Sequence, residues 1–422
     1  MDTQHRFLLG LLLLTISLLI ITGLATDGPR TAAAGFLELQ LHPARLINDF
    51  IEIRGLGAAL LNGAAVGIIG LVLVLATGVS LSGPTYAAVF TLIGFGLFGK
   101  TPFNILPILF GVFLAGRYAG KTFSQYIIIA LFGTALGPLV STLAFELGLP
   151  YAASVVLAVA GGTFVGFLLP AAAVAMLHLH QGYNLYNMGL TCGFLGLFAA
   201  SAIKAGGHTY SAALAWYSGG SLVPVLITPV LSLILIIAGL IIGKKKALGD
   251  FIAIQKHSGR LPSDFMEMES VGGALINSGV IGILGTAYVY TIGADFNGPV
   301  IGGFFTVMGF AAFGTHLRNS WPILAGVVAS TLLFGMPLTA PGPVLAAIFS
   351  TTLGPLAGQF GPIVGFIAGF IHLIMVSFTG SWHGAMNLYN NGFAGGLTAA
   401  LIVAVIQWYE TTKTDVQKFT GD

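Results

Sequence analysis

"HQGYNLYNMG" (residues 180–189) and "HGAMNLYNNG" (residues 383–392) share one pattern within a chain of 422 residues. Each decapeptide has a histidine, then three residues, then Asn-Leu-Tyr-Asn, then one residue and a glycine. Two polar segments of one pattern, about two hundred residues apart in an apolar chain, predict an internal duplication.

The duplication extends over most of the chain. A shift of 215 aligns residues 36–112 with 251–327 without a gap, and 23 of the 57 positions from 56 to 112 are identical. "FLELQLHPARLINDFIE" (36–52) thereby meets "FIAIQKHSGRLPSDFME" (251–267), and after a slip of two residues "LFGTALGPL" (131–139) matches "IFSTTLGPL" (348–356). We therefore divide the chain into repeat 1, residues 1–215, and repeat 2, residues 216–422.

The composition predicts an all-α integral membrane protein with several crossings. Hydrophobic residues make up 56% of the chain and charged residues 7%, against about 25% charged in soluble domains. Apolar runs such as 7–25 and 222–243 are long enough to cross the bilayer as helices, and we interpret the first as a retained helix, not a signal peptide. The net charge of +2 argues against a nucleic-acid partner. The single cysteine, Cys192, excludes an internal disulfide.

Each repeat is expected to contain one spanning helix, an amphipathic segment and six further apolar stretches. Two of these, 83–98 and 104–116, are short and either cross the membrane or form a re-entrant hairpin. Seven or five crossings are both odd numbers, so the repeats should be inverted. Gly-Pro pairs interrupt the apolar stretches in corresponding places, at 83–84 and 137–138 and at 298–299 and 354–355. Such matched breaks mark the solute site of many transporters, although turns at the membrane surface would give the same pattern.

The two decapeptides supply the first set of candidate solute-binding residues. Asparagine offers both a donor and an acceptor, and amides from two repeats can replace the hydration shell of a small polar solute. The candidates are Asn184, Tyr186 and Asn187 with His180 in repeat 1, and Asn387, Tyr389 and Asn390 with His383 in repeat 2. The histidines would donate hydrogen bonds or act as gates. Helix capping by the asparagines and a structural role for the histidines are the alternatives.

A second candidate lies after the first Gly-Pro segment of each repeat, where Asn104 corresponds to Asn319. Lys100 and Arg318 flank these asparagines without being equivalent. A cation beside a pathway selects anions, but we expect both side chains to extend to the membrane interface instead.

Arg45 and Asp49 are four residues apart in the amphipathic segment of repeat 1, as are Arg260 and Asp264 in repeat 2. This spacing predicts an ion pair within each segment, which we expect to be an interfacial helix.

The fourteen acidic residues lie in termini, loops or the edges of apolar segments. Carriers coupled to sodium or protons usually bury a carboxylate, so this distribution favours a channel or facilitator. No nucleophile elbow or phosphate-binding loop is found, and we expect no enzyme activity, no cofactor and no metal site.

Three segments resemble motifs of the urea transporters, a family of inverted helical repeats around a narrow pore. They are "NGPVIGGFF" (297–305), "SWPILAGVVAST" (320–331) and "LYNNGFAGGL" (388–397). The chain more closely resembles a family of duplicated bacterial membrane proteins without an assigned function. This resemblance implies a location in the bacterial inner membrane, with urea transport as the activity of a distant relative.

The sequence thus predicts a channel or facilitative transporter for a small polar solute, with its pathway between two pseudo-symmetric repeats. The alternative is a membrane scaffold or sensor without a pathway, in which the repeated motifs only lock helices together. The expected partners are the solute, the lipid bilayer and further copies of the chain. The identity of the solute stays open.

Overall fold

The structure is a computed structural model that describes residues 3–208 and 214–420, with the side chains of residues 413–420 left out. Repeat 1 contains α1 Thr3–Asp27, α2 Pro29–Leu39, α3 Phe50–Ala76, α4 Gly83–Phe95, α5 Pro102–Tyr118, α6 Ile127–Gly133, α7 Gly137–Phe145, α8 Tyr151–His180 and α9 Asn187–Ala205. Repeat 2 contains α10 Leu222–Gly243, α11 Ala247–Ile254, α12 Phe265–Met268, α13 Val271–Ile292, α14 Gly298–Phe310, α15 Leu317–Leu333, α16 Pro341–Phe349, α17 Gly354–Phe360, α18 Pro362–Trp382 and α19 Asn390–Thr420. Within the described residues there is no strand, only an isolated bridge between Asn48 and Ala215.

Nine helical segments of the described chain are long and apolar enough to cross a membrane. Five belong to repeat 1 and four to repeat 2, and their mean hydropathy ranges from 1.5 to 2.9. Large apolar side chains such as Val156, Phe164 and Ile237 are exposed on them, as expected for surfaces that face lipid. The predicted fold class, an all-α membrane protein built from tandem repeats, is confirmed.

The two short Gly-Pro helices, α4 and α14, form the centre of the molecule. Each has 13 residues, which rise about 20 Å and so fall short of the roughly 30 Å hydrocarbon layer. Nearly every residue of both helices is buried. A Cβ added at Gly94 would lie 2.3 Å from the carbonyl oxygen of Gly302, and one added at Gly309 would lie 2.9 Å from the Cα of Ala87. The end of each helix therefore meets the first half of the other, so the two run antiparallel, as inverted repeats require.

Two aspartates join the repeats by capping each other's broken helix. The Asp49 carboxylate accepts a hydrogen bond of 3.1 Å from the backbone N–H of Gly298, at the start of α14. Asp264, the equivalent residue, accepts one of 3.0 Å from Gly83, at the start of α4. A carboxylate at a helix N-terminus satisfies free N–H groups and complements the helix dipole.

Burial nevertheless raises the pKa of each aspartate to about 6. The hydrogen bonds that both carboxylates accept from backbone N–H groups oppose this rise.

The predicted ion pairs within the amphipathic segments are wrong. Arg45 is buried and pairs with Glu146. Arg260 is exposed, donates from its Nε to the carbonyl oxygen of Gln181 over 2.8 Å and lies 4.3 Å from the centre of the Tyr183 ring. The aspartates are unavailable to the arginines because their oxygens cap the neighbouring helices.

Candidate functional site

The decapeptide of repeat 1 forms the turn between α8 and α9. His180 Nε2 lies 2.9 Å from Asn187 Oδ1, while its Nδ1 accepts from the backbone N–H of Asn184 over 3.2 Å. Asn187 Nδ2 donates to the carbonyl oxygen of Ala173 in α8, and Asn184 Oδ1 accepts from the N–H of Tyr186. Because Nδ1 accepts, these partners fit the neutral imidazole with its proton on Nε2. The histidine and both asparagines therefore hold the turn in shape.

Repeat 2 builds the same turn between α18 and α19. His383 Nε2 lies 3.0 Å from Asn390 Oδ1, and its Nδ1 accepts from the N–H of Asn387 over 3.4 Å. Asn390 Nδ2 donates to the carbonyl oxygen of Val376, and Asn387 Oδ1 accepts from the N–H of Tyr389 over 3.0 Å. Both histidines thus engage both ring nitrogens, so protonation of either ring would break the bond at its Nδ1.

The two turns meet across the pseudo-twofold axis. Asn184 Nδ2 donates to the carbonyl oxygen of Gly392 over 3.0 Å, and Asn387 Nδ2 donates to that of Gly189 over 3.1 Å. Glycine is required at this crossing, since a Cβ at Gly189 would lie 2.6 Å from the Cα of Gly392. All four candidate asparagines thus have their amides bonded within the protein.

Asn104 and Asn319 brace the other candidate segment in each repeat. Asn104 Nδ2 donates to the carbonyl oxygen of Gly99 and its Oδ1 accepts from the N–H of Thr101, both over 2.9 Å. Asn319 makes the same two bonds to Gly314 and His316, also over 2.9 Å. Each asparagine therefore fixes the break between a Gly-Pro helix and the helix that follows it.

Sequence reasoning missed a second pair of braces at these breaks. Asn62 in α3 is fully buried, and its Nδ2 donates to the carbonyl oxygens of Gly96 and Lys100 over 2.6 and 2.7 Å. Asn277 in α13 makes the equivalent pair of bonds, each of 2.8 Å. The repeat alignment places these two asparagines at the same position. This match could have revealed them, because an amide in the middle of a spanning helix needs hydrogen-bond partners.

A cavity of about 350 Å³ lies where the turns and the broken helices meet. Tyr186 and Tyr389 line it, one from each decapeptide, together with Thr91 of α4 and its equivalent Thr306 of α14. Its walls are otherwise mostly apolar, with phenylalanines at positions Phe95, Phe132, Phe310, Phe313 and Phe349. Of the four candidate asparagines, Asn187 alone contributes to this lining.

The two tyrosines pack on the opposite repeat. The Tyr389 ring lies 4.6 Å from Phe95 at the end of α4, and the Tyr186 ring lies 4.4 Å from Phe310 at the end of α14. The Tyr186 hydroxyl is buried without a hydrogen bond of normal geometry, although the side chain of Thr351 lies beside it. A buried hydroxyl in this condition is costly to the fold.

Lys100 breaks the symmetry of the two half-sites. The expectation that it extends to the interface is wrong, since its side chain is fully buried, whereas Arg318 is exposed. Lys100 Nζ donates to Thr134 Oγ1 over 2.7 Å and to the hydroxyl oxygen of Tyr389 over 2.5 Å, and it lies 4.6 Å from the centre of the Tyr389 ring. The equivalent residue in repeat 2 is Thr315.

Burial without a counter-charge disfavours the protonated form of the Lys100 amine. None of the ion pairs among the described residues involves Lys100. Burying such a cation costs several kcal/mol unless hydrogen bonds and an opposite charge compensate. Within the described part of the chain, no group of three or more His, Cys, Asp or Glu side chains is arranged to hold a metal ion.

A surface pocket adjoins the cavity and shares Leu177 and Leu261 with it. Arg260 and Gln181 also line this pocket. The equivalent arginine of repeat 1, Arg45, is instead buried in its pair with Glu146. The cavity therefore adjoins a basic surface pocket beside Arg260, whereas the equivalent Arg45 is held by Glu146.

The model of one protein family matches residues 28–205 and 243–408, which together are more than half of the chain. That family is described as a protein of unknown function, DUF1576. The chain belongs to it. No curated protein and no solved structure matches the chain. The two matched segments of this DUF1576 member agree with the duplication found in the sequence.

Proposed function

We propose that this protein is a channel or facilitative transporter for a small polar solute, with its pathway at the interface of the two repeats. In this proposal the protein spans the bacterial inner membrane as a multi-pass protein and catalyses no reaction. The main support for this function is the cavity between the repeats, which both tyrosines and the broken helices line. Solute sites of inverted-repeat transporters lie at the repeat interface beside discontinuous helices.

The solute-contacting groups in this proposal are the hydroxyls of Tyr186 and Tyr389, with Asn187 at the cavity wall. The other candidate amides serve the solute indirectly, since Asn184 and Asn387 hold the two tyrosine-bearing turns together. Rigid support of this kind keeps a binding site in its productive geometry.

A scaffold without a pathway is the second candidate. It is favoured by the closed hydrogen bonding of the four asparagine amides, which need no solute as a partner. A scaffold, however, would have no role for the cavity.

Solute flux into proteoliposomes separates the two candidates. The assay uses urea, acetamide, glycine and pyruvate as probes, with protein-free liposomes as the background. We expect at least one probe to enter at least about tenfold faster than background and Thr91→Phe, which fills the cavity, to abolish that flux. The matched control is Thr291→Phe, because Thr291 is exposed near the end of α13.

Cysteine labelling supplies an independent readout. Cys192 is the only cysteine, so Cys192→Ser gives a background without thiols. On that background we expect Thr306→Cys to react with a small, membrane-impermeant methanethiosulfonate reagent in sealed proteoliposomes. Failure of every probe to enter, together with an unreactive Thr306→Cys, would establish the scaffold.

A further inference from the structure

We infer that the solute of this cavity is a small monovalent carboxylate, and that Lys100 selects it by fixing the role of the Tyr389 hydroxyl. The inference rests on the proposed function, since it names the substrate class of the same cavity. The contacts of Lys100, the lining of the cavity and the position of Arg260 support this assignment of the solute.

Lys100, when protonated, sets the direction of its hydrogen bond to Tyr389. An ammonium group only donates, so the Tyr389 oxygen then accepts in the 2.5 Å contact. A phenolic hydroxyl has one proton of its own to donate. Among the described residues no acceptor for that proton is found, and Tyr389 lines the cavity. In this inference Tyr389 donates that proton to the solute.

A hydrogen bond is about twice as strong when its acceptor is ionised, and Lys100 Nζ lies 2.5 Å behind the Tyr389 donor oxygen. Burial disfavours the protonated form of Lys100, and none of the ion pairs of the described residues compensates for this. An anion in the cavity would supply a counter-charge and so favour the protonated form, and a single cation matches a single negative charge.

The cavity walls select for the body of the solute. The walls carry five phenylalanines, at the positions named above, so a solute with an apolar portion is better matched than a fully hydrated inorganic ion. Thr91 and Thr306 are polar residues of the same lining. A short carboxylate has the ionised acceptor and the apolar end that this lining requires.

A cationic side chain lies in the surface pocket beside the cavity. Arg260 lines the surface pocket that adjoins the cavity, and it forms no ion pair with any residue that the structure describes. A cation at the approach raises the local concentration of anions, and this effect weakens as salt is added.

The experiment compares pyruvate with its neutral amide, pyruvamide, in proteoliposomes at neutral pH. Pyruvate is almost wholly ionised there and crosses lipid slowly. For the unmodified protein we expect pyruvate flux to exceed pyruvamide flux at least about tenfold. Lys100→Met should reduce this ratio at least about tenfold, while Lys121→Met should leave it unchanged, because Lys121 is exposed in the loop after α5.

Two further variants keep the test decisive if Lys100→Met fails to fold. Tyr389→Phe keeps the ring and removes the hydroxyl, so the preference for pyruvate should fall as in Lys100→Met. Tyr186→Phe removes the equivalent hydroxyl, which receives no bond from a cation, and should lower the flux of both solutes by similar factors. A role for Lys100 in folding alone would not move the ratio of the two fluxes.

The outcomes separate the inference from the proposed function. Entry of pyruvamide at the faster rate, with a ratio that neither Lys100→Met nor Tyr389→Phe changes, overturns the inference and leaves permeation standing. Chloride and nitrate are added to the same assay as inorganic probes, and faster entry of either than of pyruvate overturns the carboxylate assignment. The absence of flux for every probe overturns the proposed function itself.

Discussion

Gly189→Ala tests the crossing of the two turns, because one methyl group enters the closest contact between the repeats. Gly189 is the third residue of α9, where its backbone is helical. The added Cβ would lie 2.6 Å from the Cα of Gly392 and 2.9 Å from the carbonyl oxygen of Tyr389. Ordinary carbon contacts begin at 3.4 Å, so the turns must separate by about 0.8 Å. No side-chain rotation relieves this clash, since the atoms concerned belong to the backbone.

The magnitude follows from the bonds that span the crossing. A separation of that size stretches the 3.0 Å bond from Asn184 and the 3.1 Å bond from Asn387 beyond hydrogen-bonding distance. Two such bonds are worth about 1–3 kcal/mol together, and overpacking costs about 1–3 kcal/mol. Alanine recovers about 1 kcal/mol of helix propensity over glycine. We therefore expect the free energy of unfolding to fall by about 1–5 kcal/mol.

Equilibrium unfolding in mixed detergent and SDS micelles measures this loss. The control is Gly10→Ala in α1, because nothing lies within 4 Å of the added Cβ there. We expect that control to be neutral or to gain up to about 1 kcal/mol from helix propensity. Equal stabilities for Gly189→Ala and Gly10→Ala would show that the turns do not cross at Gly189, and the cavity between the repeats would lose its basis.

Further predictions concern the charged groups at the edges of the bundle. Glu146→Ala removes the ion-pair partner Glu146 from the buried Arg45 and should destabilise by about 3–5 kcal/mol. The same change at Glu38, which pairs with Arg54 on the surface, should cost at most about 1 kcal/mol, and equal losses in chemical unfolding would contradict the assigned burial. Because the pKa of Asp264 is raised to about 6 in the folded protein, folding favours its protonated form. Stability should therefore fall as pH rises from about 4 to about 6, and Asp264→Asn should flatten that part of the profile of melting temperature against pH.

The fold was accessible from the sequence because its signals are periodic and repeated. The apolar runs predicted the spanning helices, and the 215-residue shift identified α4 and α14 as equivalent segments. The shift also equates Asp49 with Asp264. Their spacing from Arg45 and Arg260 predicted local ion pairs, yet both carboxylates bond to the opposite repeat. Sequence spacing reports neighbours along one helix, whereas these partners are brought together by the packing of two repeats.

The site was only partly accessible for a related reason. The pattern identified Tyr186 and Tyr389, and the structure places both at the cavity. Asparagine residues in the same pattern suggested solute contacts, but an amide inside a membrane protein first has to satisfy nearby backbone groups. Whether Asn184 faces a solute or the Gly392 carbonyl depends on a contact between residues 208 positions apart. No local pattern contains that information.

Differences between the repeats are concentrated where a solute would pass. The asparagine braces recur in both halves, as Asn62 and Asn277 show. Lys100 has only a threonine as its counterpart, and of the two equivalent arginines Arg45 is buried in an ion pair while Arg260 lies at the approach to the cavity. A duplication that served packing alone would have no need for this difference. In the proposed function, a symmetric frame around a single asymmetric site allows one cation to choose the charge of the solute.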